Sequence, residues 1–198
     1  GVHMDDRGPE DDKSLQQRAI KAFVRAKKLG LFLKRGSGKT NVALGAFSTL
    51  RDQGAARRGL FAAPTAVQGQ FGGEALSFIK PGSLNWFAKP GASREERMAA
   101  YADPGRHMVI VPHQTLRDDI TDMVSSHLKM PDAEVRERIT GHDADGNASD
   151  KGWKPEELDG HIKDAMHAHG AGALLDYMAV DEAHELLNRE GKPDAHMT

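Results

Sequence analysis

Apolar positions recur along this chain in two alternating rhythms, and the alternation predicts the fold. From Ser14 onward, Leu15, Ala19, Ile20, Phe23 and Val24 return at the helical period, while Arg18, Lys21, Arg25 and Lys28 take the opposite face. That is the pattern of an amphipathic helix. Gly30 is its stop signal, and Leu31–Leu33 follows as a short apolar strand. A Gly/Ser loop then opens a second helix, expected over Lys39–Arg51. Next come a strand over Leu60–Ala63 ended by Pro64-Thr65, a helix over Val67–Phe78 and a strand over Ser83–Phe87. Ser93 suits an N-cap, with Glu95 and Glu96 in the first turn of a helix reaching Tyr101. A side-chain oxygen and negative charge both stabilise a helix start. His107–Val111 is the next strand, ended by Pro112 and a helical turn. The last is Leu174–Val180, followed at once by acids and a helix. Strands alternating with helices predict an α/β fold, a mostly parallel sheet flanked by helices.

The stretch Asp119–Gly172 breaks this rhythm. Its pattern gives two helical pieces, about 120–140 and 156–169, around the polar loop 141–152. It reads as an inserted helical lobe or flexible flap. The expected organisation is a polar tail over 1–13 (Gly1–Met4 resembles a tag remnant), one α/β domain from 14–118 and 173–198, and an insertion over 119–172.

Composition narrows the classes. Hydrophobic residues are 38% and charged residues 28% of 198 positions, the balance of one soluble domain. No apolar run approaches the roughly 20 residues of a transmembrane helix. Cysteine is absent, which excludes disulfides, thiolate zinc sites and cysteine nucleophiles and fits an intracellular setting. The net charge of −2 conceals a strong asymmetry. Residues 13–58 hold twelve Lys and Arg against one acid, and residues 119–198 hold eight against eighteen acids. An anionic ligand is therefore to be sought in the first third.

Two motifs carry chemistry. Gly36-Ser37-Gly38-Lys39-Thr40 lies between an expected strand and an expected helix. Glycines there let backbone N–H groups cradle a phosphate chain, and the helix N-terminus adds partial positive charge. Lys39 would reach the outer phosphates and the Thr40 hydroxyl would ligate Mg²⁺. The first glycine of the strict GxxxxGK[ST] pattern is replaced by Leu33. The second motif is Asp181-Glu182-Ala183-His184, delivered at the carboxyl end of an apolar strand, where α/β sheets bind ligands. Asp181 would hold Mg²⁺, Glu182 would act as general base, and His184 would couple the nucleotide state to the rest of the machine.

Smaller signals read as structure. Asp143, Asp145, Asn147 and Ser149 miss the calcium-loop pattern at Ala148 and Lys154. His161, His167 and His169 lack the partners of a zinc site and read as solvent-exposed helix residues. Trp86 and Trp153 read as packing residues.

With these motifs in hand, the chain resembles the first RecA-like motor domain of superfamily 2 helicases and translocases, closest to the Swi/Snf-type branch and phage helicase-like proteins. The resemblance covers roughly 14–118 and 173–192. It implies that Gln16 or Gln17, in Leu15-Gln16-Gln17-Arg18, recognises adenine. It implies a cofactor role for Gly36, Ser37, Gly38, Lys39 and Thr40 toward ATP with Mg²⁺. It also implies nucleic-acid contacts, to double-stranded DNA, from Pro64, Thr65, Gln70, His113 and Thr115. The setting it implies is the cytoplasm of a bacterium or a phage-infected host.

Two departures stand out. Lys39 and Asp181 lie 142 positions apart, a long spacing that the 119–172 insertion explains, and the chain ends fourteen residues after His184. A second motor domain with its arginine fingers is not in this sequence, so the expectation is half of a two-domain motor, a fragment or truncated relative with weak or no turnover alone. The competing expectation is a nucleic-acid-binding or interaction module with a relic nucleotide site.

Overall fold

The computed structural model describes residues 17–22, 24–25, 39–65 and 84–181. The expected strand Leu31–Leu33, the helix Val67–Phe78 and everything after Asp181 lie outside the described residues. Residues 17–22 and 24–25 are helical, as the periodicity predicts. Among the described residues, four strands form one sheet: β1 (Gly59–Ala62), β2 (Trp86–Phe87), β3 (Met108–Val111) and β4 (Met178–Val180). Their order is β2-β3-β1-β4 and every pairing is parallel. Around them lie α1 (Lys39–Asp52), α2 (Arg94–Ala102), α3 (His113–Leu128), α4 (Asp132–Thr140), α5 (Pro155–Ala168) and a 3₁₀ turn over Gly172–Asp176. The protein is α/β, a parallel sheet flanked by helices.

Strands β1 (GLFA) and β3 (MVIV) are buried along their whole length, as the central strands of a parallel sheet covered on both faces must be. Side chains alternate between the faces. Phe61, Ile110 and Ala179 point toward α1, where Ala43, Ala46 and Phe47 meet them. Leu60, Ala62, Val109 and Val111 point the other way, onto Leu116, Val124, Val135, Ala165 and Leu174. Gly59 sits where α1 comes closest. A Cβ there would lie 3.0 Å from the Phe47 ring and 3.2 Å from Tyr177.

The α2 start is as predicted. The Ser93 hydroxyl accepts the Glu96 N–H at 3.2 Å, and the Glu96 carboxylate accepts the Ser93 N–H at 2.9 Å. This reciprocal box satisfies two otherwise unpaired donors.

Several expectations differ from the structure. Of the expected strand Ser83–Phe87, residues 84–87 are described and pair only at Trp86–Phe87. The Asn85 carbonyl is instead shared between the His107 and Met108 N–H groups. The expected strand Leu174–Val180 begins only at Met178, because Leu174 and its neighbours coil into the 3₁₀ turn that buries Leu174 under the helices. A short apolar run reads alike in either state. Third, the 119–172 boundary falls inside α3, which runs unbroken from His113 to Leu128. Nor is this region a separate flap. Leu116, Met123 and Val124 of α3 join Val135 of α4 and Ala165 and Met166 of α5 in the core under one sheet face. The expected single piece 120–140 is broken at Lys129, which takes the left-handed conformation (φ 54°), and α4 ends at Gly141 (φ 68°).

A buried ionic clamp fastens this layer. Asp119, 1% exposed, accepts two hydrogen bonds of 2.7 Å from Arg97 and one of 2.7 Å from the Tyr101 hydroxyl. A charge survives burial only with such complete pairing. Burial first, then the Asp119 charge, pushes the Tyr101 hydroxyl well above its ordinary range.

Candidate nucleotide site at the carboxyl end of the sheet

The direction of α1 fixes the site. Arg51, in the last turn of α1, bonds the ring of His107, the residue just before β3. The helix therefore ends at the amino ends of the strands and runs antiparallel to them. Farther along, the Phe47 and Tyr177 rings pack 5.4 Å apart, and the Tyr177 hydroxyl donates to the Ala43 carbonyl at 2.7 Å. At 1.5 Å of rise per residue, the helix start lies roughly 6 Å beyond Ala43. Lys39 and Thr40 thus open α1 at the carboxyl end of the sheet.

That end is where the acid motif arrives. The Ala63 N–H donates to the Val111 carbonyl at 3.1 Å, and the Asp181 N–H donates to the Ala62 carbonyl at 2.9 Å. His113, first residue of α3, reaches past the end of β1, and its Nε2–H donates to the Asp181 carbonyl at 2.7 Å. Because a carbonyl only accepts, that bond fixes the ring proton on Nε2. The ends of β3, β1 and β4 are thereby tied in one row, with half-buried Asp181 at its edge.

The remaining expected residues fall as follows. Thr40 is half-buried in the first turn of α1, a turn with no acidic side chain. Pro64 is half-buried and Thr65 exposed just past β1, and Thr115 is half-buried in the first turn of α3. Gln17 is exposed on the N-terminal helical segment, beside exposed Arg18, Lys21 and Arg25. Gln16, Gly36, Ser37, Gly38, Gln70, Glu182 and His184 lie outside the described residues.

His113, expected as a nucleic-acid contact, is only 6% exposed, and its ring meets the backbone of Asp181. A surface role and a buried bond across 68 residues look identical in sequence.

Elsewhere, the Asp143 carboxylate is taken up by its own loop, accepting the Asn147 N–H at 2.8 Å and the Asp145 N–H at 3.0 Å. The Asn147 bonds foremost hold it below the usual carboxylate range. The His161 ring packs on Trp153 at 4.5 Å. His169 is half-buried with a ring nitrogen on the Ala165 carbonyl, so it is not the exposed residue expected. Among the described residues, no three His, Asp or Glu side chains converge. Trp86 and Trp153 both pack against the core, as expected.

Chemically, a helix N-terminus without carboxylates favours an anion, and a nearby Asp favours a hard cation. No family model, no curated protein and no solved structure matches this chain.

Proposed function

We propose that this end of the sheet binds ATP with Mg²⁺, and that the chain is the ATP-binding first motor domain of a superfamily 2 type helicase or translocase. One observation carries the reading: α1 runs antiparallel to the strands, so its Lys39-Thr40 start shares an end of the sheet with Asp181. Lys39 and Asp181, 142 positions apart in the chain, thereby share one end of the sheet.

In this reading, backbone N–H groups of Gly36–Lys39 and the Lys39 ammonium bind the phosphates. The Thr40 hydroxyl and the Asp181 carboxylate hold the cation, and His113 keeps Asp181 at the strand end. Glu182 orients and deprotonates the attacking water. Bound Mg²⁺ supplies charge neutralisation on the transferring phosphoryl group. The adenine falls to Gln16 or Gln17, and double-stranded DNA to Pro64, Thr65, Gln70 and Thr115.

The exposed basic row Arg18, Lys21 and Arg25 supports a second reading, a nucleic-acid-binding module with a relic nucleotide site. No helix among the described residues is long and apolar enough to cross a membrane.

ATP affinity in wild type, Lys39→Ala and Glu182→Gln, with and without duplex DNA, tests both. The motor reading expects Lys39→Ala to lose binding and Glu182→Gln to keep it. Equal affinity in wild type and Lys39→Ala overturns it. DNA binding that survives Lys39→Ala but is lost on neutralising Arg18, Lys21 and Arg25 favours the binding module.

A further inference from the structure

Strand β4 ends the sheet on one side, the order being β2-β3-β1-β4 among the described residues. Its middle residue, Ala179, is buried under α1, but Met178 and Val180 are 46% and 37% exposed. The backbone is divided in the same way. The Leu60 N–H donates to the Tyr177 carbonyl and the Asp181 N–H to the Ala62 carbonyl, both at 2.9 Å. Backbone groups alternate sides along a strand, so those of residues 177, 179 and 181 face β1 and those of Met178 and Val180 face outward. Among the described residues nothing pairs with that outer edge. Apolar side chains beside outward backbone donors and acceptors form a template for one more strand.

The hand of the crossovers fixes where that strand comes from. From β2 through α2 to β3 the chain moves one place toward β4. From β3 through α3, α4 and α5 it moves on in the same direction, past β1 to β4. Both crossovers lie on the face of Leu60 and Val109, covered by Tyr101, Leu116 and Ala165. Parallel crossovers are right-handed in nearly every known case, and these two share one hand. The helix α1 covers the opposite face, against Phe61, Ile110 and Ala179. It runs antiparallel to the strands and leads into β1, so a strand directly before it is parallel to β1. A crossover on that face has the same hand only if it moves the other way, from the β4 side back to β1. The place beside β1 is taken, because β1 and β4 pair directly. The next place is the outer edge of β4. Leu31–Leu33 is the apolar run before α1, and six residue steps separate Leu33 from Lys39. At about 3.4 Å each, those steps can cross two strand spacings of about 4.8 Å and rise to the helix layer.

We propose that the outer edge of β4 is the docking surface for Leu31-Phe32-Leu33 of this same chain, which pairs there as a fifth parallel strand. Its backbone meets the outward groups of Met178 and Val180, and its apolar side chains extend the sheet faces beside theirs. The loop 34–38 then leaves the carboxyl end of the sheet one strand away from Asp181. The placement rests on strand edges and crossover hand, and it holds whether or not ATP is the ligand.

The test is cysteine cross-linking in the full chain, which has no cysteine of its own. Met178→Cys or Val180→Cys, both at exposed positions, is combined with Leu31→Cys, Phe32→Cys or Leu33→Cys, and the monomer is oxidised. Neighbouring strands stand about 4.8 Å apart, within disulfide reach. At least one of these pairs should close within the monomer, while the same three positions paired with Phe87→Cys on β2 stay open. Lys39→Ala should leave the cross-links unchanged whatever it does to ATP affinity. Hydrogen exchange of the unsubstituted chain is the second measurement, free of any folding defect. The Met178 and Val180 amides should be protected there, and Phe32→Pro should remove that protection while β1 and β3 keep theirs. The proposal is overturned if no pair with β4 closes, if closure occurs with Phe87→Cys instead, or if those two amides exchange as freely as an exposed loop. It is overturned equally if Met178→Cys alone oxidises to a dimer while the intramolecular pairs stay open, which marks a second copy on the edge.

Discussion

The two ends of the sheet differ in how their side chains are held. At the amino end, Arg58 is 4% exposed and spends its donors on three carbonyls, Gly59 leaves no room beside Phe47 and Tyr177, and the His107 ring meets Arg51 and the Asn85 N–H. At the carboxyl end, the ties are backbone bonds plus one histidine, and Thr40, Pro64 and Asp181 stay half-buried. One end is fastened mainly through side chains, and the other mainly through the backbone. Substitutions at the amino end should therefore cost stability, and those at the carboxyl end should cost activity first.

The sharpest contrast is between neighbours. Arg58→Ala strands three carbonyls, two of them in buried hydrogen bonds. At about 1–3 kcal/mol for each buried group left unpaired, urea denaturation should show a loss on the order of 3 kcal/mol. Arg57→Ala, one position away but exposed, should change stability by no more than about 0.5 kcal/mol. Equal losses would dissolve the distinction between a committed and an available arginine.

Gly59→Ala comes next. The new methyl meets two aromatic rings at 3.0–3.2 Å, and overpacking of this kind costs about 1–3 kcal/mol. An unchanged denaturation midpoint would mean that α1 can lift off the sheet freely.

At the carboxyl end, the proposed ATP-binding role expects His113→Ala to lower ATP turnover about tenfold, the effect of removing the partner that supports a metal ligand, with a stability loss of only about 1 kcal/mol. His113→Gln, which can still donate to the Asp181 carbonyl, should recover part of the turnover. A large stability loss with unchanged turnover would place His113 with the structural end instead.

The smallest effect is on pH. Burial foremost, then the Arg51 and Arg58 charges, lower the His107 pKa. The unfolded chain therefore binds more protons than the folded one below the ordinary histidine value of about 6.5. This contribution to stability is complete above that pH and is lost as pH falls toward the folded-state value. His107→Gln should flatten the slope of the urea midpoint between about pH 5 and 7.

Much of the fold was legible because it is local. The Ser93–Glu96 capping box, the α1 span that ends one residue past its expected limit, and the buried strands at residues 60–62 and 108–111 follow from neighbours along the chain. The Leu174 region was misread because apolar residues do not announce whether they extend or coil. Residue 119 falls within α3, because polar residues between its apolar positions hide a helix that begins at a strand end.

The sequence by itself determined most element types and the α/β class, because periodicity, caps and glycines act over a few residues. Tertiary structure decided which groups meet. The order β2-β3-β1-β4 sets β1 between β3 and β4, so His113 must cross it to reach Asp181. Arg97 meets Asp119 only because α2 and α3 flank the same sheet face, and Arg51 meets His107 only because α1 runs antiparallel to the strands. Such contacts depend on strand order and helix direction, which long-range burial chooses and which no local pattern encodes.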